Sequence, residues 1–280
     1  MSTYLQPETL EEALSFLQSD EAVIAAGCTD LFAATEARAL SGTVLDVTRI
    51  SEMQGISRNK DGWRIGGATT WSELIAADLP PAFDMLKAAA REVGSVQIQN
   101  SGTVAGNLCN ASPAADGVPP LLALEAEVIL TSAAGTRQMP LAAFLTGARQ
   151  TVLKPGELLS AVHIPATAGA GQSWFLKLGA RKYLVISIAM VALRIEVVEG
   201  LIKDIALAIG ACSPVALRLN ALEARLQGQS ITSAKAVLEK ADLSPWLHPI
   251  DDIRATAEYR RDAAKTLMLR AFDDVIGAGT

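Results

Sequence analysis

The 280-residue sequence predicts an α+β fold: two α/β units followed by a unit of sheet and helices. Three observations carry this expectation. Half of the residues are apolar and 19% are charged, enough to bury a substantial core. Short apolar runs of strand length mix with amphipathic helical segments through the first two units. Near the C-terminus, two β-rich runs are followed by helical segments alone. The expected units span 1–57, 58–168 and 169–280.

In the first unit, residues 8–18 put Leu10, Ala13, Leu14 and Leu17 on one helical face, and Thr9 with Glu12 has capping-box spacing. The run 22–26, ending at Gly27, predicts a buried strand, and 43–47 another. In the second unit, 63–65 is strand-like and 69–74 opens a helix. Pro80-Pro81 stops that helix, and 82–93 forms the next. Over 94–120 the composition turns to Gly, Ser, Asn, Thr and Ala, which predicts a long irregular segment of the kind that often carries function. Regular structure resumes over 121–130, and Lys154-Pro155-Gly156-Glu157 is a turn. In the third unit, 187–197 and 201–208 flank Glu199-Gly200 as a hairpin. Helices follow over 216–227, 233–241 and 252–276.

Charge and cysteine usage exclude several classes. Twenty-four Lys and Arg against thirty Asp and Glu give a net charge of −6, with no basic cluster, so nucleic acid is not an expected partner. Cys28, Cys109 and Cys212 are far apart and odd in number, which fits a reducing, cytoplasmic setting rather than a disulfide framework. With His163 and His248 they form no metal-ligand spacing, so no metal or iron–sulfur site is expected from this chain alone. The opening MSTYLQPETLEEAL lacks the marks of a secretory signal, and the longest apolar stretch, 183–193, is too short for a membrane span. P-loop, Rossmann and nucleophile-elbow motifs are absent. His163, in an apolar run, is expected to be structural or to stand at an exposed strand edge. Asp251-Asp252 suit the first turn of a helix, and Arg254 and Glu258 are spaced i,i+4.

Two loops remain as binding candidates. One is Ala25-Ala26-Gly27-Cys28-Thr29-Asp30-Leu31, directly after a strand. The other runs from Asn100 through Thr103, Gly106, Asn107 and Ser112 to Asp116. Small residues let a backbone approach a ligand closely, and successive N–H groups with hydroxyls can donate to a pyrophosphate without any Lys. Two ordinary tight turns would also fit these compositions.

The motifs themselves are more specific. Leu10-Glu11-Glu12-Ala13-Leu14, Ala26-Gly27-Cys28-Thr29-Asp30-Leu31, Arg64-Ile65-Gly66-Gly67-Ala68-Thr69-Thr70, 93–100, 102–116, Leu121-Leu122-Ala123-Leu124, Pro155-Gly156-Glu157-Leu158-Leu159, Phe175-Leu176-Lys177 and 249–260 occur in this order. On these the chain resembles the FAD-binding medium subunit of the molybdenum hydroxylases, the xanthine dehydrogenase and carbon monoxide dehydrogenase family. The resemblance implies two α/β subdomains of the vanillyl-alcohol-oxidase-type FAD-binding fold plus a C-terminal domain of sheet and helices. It implies FAD contacts from Ile24, Ala25, Ala26, Gly27, Cys28, Thr29, Asp30 and Leu31 in the first loop. Gly102, Thr103, Ala105, Gly106, Asn107, Ser112 and Asp116 would follow from the second, with Leu159 and Lys177 beyond it. The redox chemistry would be the flavin's, with no catalytic side chain. The implied partners are a large molybdopterin-binding subunit and a small subunit with two [2Fe–2S] clusters, assembled as a dimer of heterotrimers. Electrons would pass from the clusters through FAD to an external acceptor. Two family glycines are replaced, by Cys28 and Ala105, and Gln99 stands where many relatives carry Arg. Small replacements imply that clearance, not a positive φ, is the constraint at both glycine positions. A stand-alone flavin oxidoreductase and a scaffold that has lost FAD are the alternative readings.

Overall fold

Three main sheets, each from its own stretch of chain, and one two-stranded pair are formed among the described residues. The structure is a computed structural model, which describes residues 3–19, 21–35 and 40–277.

The first stretch contains β1 (Thr3–Leu5), α1 (Leu10–Ser19), β2 (Val23–Ala25) and β3 (Thr43–Asp46). Its strands form a parallel sheet in the order β1-β3-β2. The apolar face of α1 places Ala13 and Leu14 against Leu45, Val47, Ile50 and Met53 in a small core. Thr9 accepts from the Glu12 N–H at 3.3 Å, but the Glu12 carboxylate takes the N–H of Glu8 at 3.1 Å, so the capping box is not reciprocal.

The second stretch holds β4 (Ile56–Asn59), β5 (Gly62–Gly66), α2 (Trp71–Ala76), α3 (Asp84–Glu92), α4 (Val96–Ser101), α5 (Val104–Asn110) and α6 (Val118–Ala123). It continues with β6 (Glu127–Ser132), β7 (Gly135–Pro140), α7 (Leu141–Phe144), the short pair β8 (Leu145–Gly147) and β9 (Gln150–Thr151), and β10 (Leu158–Pro165). Its main sheet is antiparallel in the order β4-β5-β10-β6-β7. His163 pairs with Arg64 on one side and Glu127 on the other, so it stands inside the sheet and not on an edge. A complete capping box between Thr70 and Glu73 starts α2. The expected turn is present, with Gly156 at φ +77°.

The segment expected to be irregular, 94–120, contains three short helices instead. Each is only six or seven residues long, too short to form from propensity alone. Side-chain caps from Ser95 and Thr103 start α4 and α5, and the Val104 N–H reaches back to Thr69 at 3.0 Å.

The third stretch forms an antiparallel sheet of β11 (Gln172–Leu178), β12 (Ala189–Val198), β13 (Leu201–Gly210) and β14 (Leu217–Arg218). Glu199 and Gly200, both at positive φ, close its central hairpin. Then come α8 (Asn220–Leu226), α9 (Ile231–Glu239) and α10 (Ala257–Gly277). The last helix starts five residues later than 252, because the Asp252 carboxylate accepts from the N–H groups of Arg254 and Ala255 and from the buried Arg260 guanidinium. Asp251 caps the Ala257 N–H at 2.6 Å. Arg254, spaced i,i+4 from Glu258, pairs with Asp252 at 2.9 Å.

Alternate residues of β12 serve two cores. Met190 and Ala192 join the large core of the second stretch, whereas Ala189, Val191, Leu193 and Ile195 pack with α8, α9 and α10. Arg194, buried among them, donates to the Ala123 carbonyl and pairs with Asp204.

Candidate functional site

A cleft of about 890 Å³ opens where the two predicted loops meet. The first loop leaves β2 at Ala25, which lies buried beneath it and is bonded to Val47. Gly27 lies so near the backbone of the second loop that a Cβ there would come within 1.9 Å of the Ser101 oxygen. Glycine at 27 is therefore what lets the loops close on each other.

The backbone at Cys28 has φ +56°. This overturns the expectation that clearance alone governs the replaced glycines, since a left-handed angle is itself a glycine preference. Ala105 differs: it belongs to α5, and its N–H donates to the Gly67 oxygen at 3.0 Å. Its methyl lines the cleft beside Gly67, so clearance is the constraint there.

The donors also divide unequally. In the second loop the N–H groups of Val104, Ala105, Gly106 and Asn107 are taken by Thr69, Gly67 and the Thr103 side chain and carbonyl. In the first loop the N–H groups of Gly27, Cys28, Thr29 and Asp30 find no acceptor among the described residues. An uninterrupted row of free donors, expected from both loops, thus comes from the first alone. The second contributes side chains, including the buried Asn107 Oδ1, which has no hydrogen-bond partner. Acceptor-free successive N–H groups fit the phosphates of a cofactor such as FAD, and the orphaned Asn107 oxygen, an acceptor, fits one of its hydroxyl or N–H donors.

Ile24, Ala26, Gly27, Cys28, Thr29, Asp30, Leu31, Gly102, Thr103, Ala105, Gly106, Asn107, Ser112, Asp116 and Leu159 all line the cleft. Ala25 and Lys177 do not. Lys177 acts from behind, with its ammonium 2.7 Å from Asp116 Oδ2, both side chains being buried. Burial pushes the Asp116 carboxyl above its ordinary value, opposed by the Lys177 ammonium and the Ser187 hydroxyl. Gln99 lies outside the lining and donates to the Arg91 carbonyl at 2.9 Å, serving as a strut.

Sequence reasoning missed Trp71, Glu92 and Leu184-Val185-Ile186 as lining residues. The last three belong to an apolar stretch whose Leu184 and Ile186 are more than half exposed. Cys109 lines the cleft with its thiol pushed up to about 12 by burial, which leaves it protonated and unreactive at neutral pH.

Residues 1–167 match the family described as the FAD binding domain in molybdopterin dehydrogenase. The chain belongs to this family. Residues 174–275 match the CO dehydrogenase flavoprotein C-terminal domain. The flavoprotein subunit is 30% identical to the glyceraldehyde dehydrogenase medium chain of Sulfolobus acidocaldarius, covering 98% of both chains. It is 29% identical to the nicotinate dehydrogenase FAD-subunit of Eubacterium barkeri, covering 98% of this chain and 95% of that one. A solved carbon monoxide dehydrogenase from Hydrogenophaga pseudoflava superposes with a TM-score of 0.89 at 27% identity, covering 98% of this chain and 97% of that one. As a medium subunit of this dehydrogenase family, the flavoprotein is an oxidoreductase component. No helix among its described residues is long and apolar enough to cross a membrane.

Proposed function

We propose that this chain holds one non-covalent FAD in the cleft and serves as the electron-transfer subunit of a multi-subunit molybdenum hydroxylase. Bound FAD would supply the redox chemistry, between [2Fe–2S] clusters of a small partner subunit and an external acceptor. A large partner subunit would hold the molybdopterin cofactor and choose the substrate. The relatives' names, medium chain and FAD-subunit, support such a division of labour. We take a dimer of heterotrimers as the assembly and the cytoplasm as its place, in keeping with the unpaired cysteines.

The observation that carries the reading is the first loop: residues 27–30 line the cleft, and their N–H groups have no acceptor among the described residues. These groups would bind the pyrophosphate. Gly102, Thr103, Gly106, Asn107 and Ser112 would close over it from the second loop, and Leu159 would pack from β10. Asp116, charged against Lys177, would orient the polar part of the cofactor. Ala25 would contribute only by fixing the strand under the loop.

The test is titration of the purified chain with FAD, followed by flavin fluorescence. The parent is expected to bind, and acid precipitation to release intact FAD. Ala105→Leu is expected to abolish binding, because the larger side chain fills the cleft where the loops approach. Parent-like binding by Ala105→Leu would remove the second loop from the site, and flavin retained on the precipitated polypeptide would show a covalent link.

A further inference from the structure

Asp116 is held from two directions. Lys177 on β11 neutralises Oδ2, and the Ser187 hydroxyl donates to Oδ1 at 2.7 Å. Ser187 is 1% exposed and follows directly on the cleft-lining Leu184-Val185-Ile186. Its neighbour Ile188 is fixed at both ends: the N–H donates to Leu178 at 2.7 Å, and the carbonyl accepts from Arg260 Nη1 at 2.7 Å. The Arg260 guanidinium, itself buried, also donates to the Ala211 carbonyl at 3.2 Å and to Asp252 at 2.7 Å. Ala211 in turn donates its N–H to Pro113, in the second loop, at 3.1 Å. One guanidinium at the start of α10 therefore grips the segment that follows the cleft-lining 184–186 and, through Ala211, the segment bonded to the second loop at Pro113.

We propose that Ser187 is a positioning residue of the flavin site, aiming the Asp116 carboxylate into the cleft, and that Arg260 holds Ser187 in place through the Ile188 carbonyl. The inference rests on the FAD reading of the cleft. A carboxylate bonded through one oxygen can turn about its terminal bond; a donor on each oxygen fixes its plane. The hydroxyl also favours the charged carboxylate, against burial and the nearby Glu92 carboxylate on α3, and alongside Lys177 on β11. Without Ser187 the carboxyl is both freer and easier to protonate.

The experiment is a double-mutant cycle on the full chain, titrated with FAD across pH. Ser187→Ala is expected to weaken FAD binding about tenfold, and to move the Asp116-linked pH dependence of the flavin absorbance upward. In the Asp116→Ala background the same change is expected to have no further effect, because the serine acts through the carboxylate. Arg260→Lys, which cannot reach Ile188, Ala211 and Asp252 together, is run in the same cycle and covers a Ser187→Ala chain that does not fold. Parent-like flavin in the single variants, or an equal loss in both backgrounds, overturns the proposal. A parent chain that takes up no FAD overturns instead the reading on which it rests.

Discussion

At Cys28 the chain places a side chain at φ +56°, where an L residue costs about 1 kcal/mol relative to glycine. Cys28→Gly is expected to raise the unfolding free energy read from urea titration, by no more than about 1 kcal/mol, since glycine also loosens the unfolded chain. Cys28→Val is expected to lower it by more than about 1 kcal/mol, because β-branching is disfavoured at this angle. Equal free energies in all three would mean that the loop relaxes freely. The sequence shows the small residues of both loops, because composition is local. It does not show the angle at Cys28, since nothing in a Cys codes for a left-handed backbone. Nor does it show that Asp116 and Lys177, 61 positions apart, would neutralise each other, although the family resemblance names each as an expected cofactor contact.

Among elements, periodic segments are the legible ones. The helix over 10–19 and the hairpin of β12 and β13 carry enough repeats to stand out. The helices α4, α5 and α6 do not, because their stability comes from caps and from partners distant in sequence. The start of α10 is likewise set by tertiary bonds to Asp252 and not by propensity. Desolvation pushes the Asp252 carboxyl upward, but the Arg254 and Ala255 N–H groups and the guanidinium of Arg260 outweigh it and hold the carboxyl well below the ordinary range. The folded value is the lower one, so this carboxylate stabilises fully above about pH 4 and loses its effect as pH falls further. Asp252→Ala is expected to cost about 2 kcal/mol at pH 7, as it leaves the buried Arg260 with one partner fewer. Urea unfolding at pH 7 and at pH 3 should show the gap to the parent narrowing at the acid end. A pH-independent gap would assign the loss to packing.

For the whole molecule, the C-terminal sheet is a shared wall. Phe175, Met190, Ala192, Ala206 and Ala208 complete the core built from Trp63 to Ile164. A chain cut after residue 168 would expose that core's open side, at a cost of about 25 cal/mol for each Å² of apolar surface left in water. The fragment 1–168 is therefore expected to collapse without fixed packing, binding an apolar dye and giving no near-ultraviolet signal. A cooperatively unfolding fragment would show that the FAD-binding half has its own complete core. The sequence marks where the composition changes, but an alternation that feeds two cores looks the same as one that feeds a single core.

The first sheet has strands of only three or four residues and a small core of its own, yet it carries the loop with the free donors. Its amide protons should therefore exchange with heavy water by local breathing, well before those of β12 and β13, which open only when the whole chain does. A cofactor gripped by that loop would slow exchange chiefly in Val23–Ala25 and Thr43–Asp46, so the least protected part of the apo-chain would report its loading.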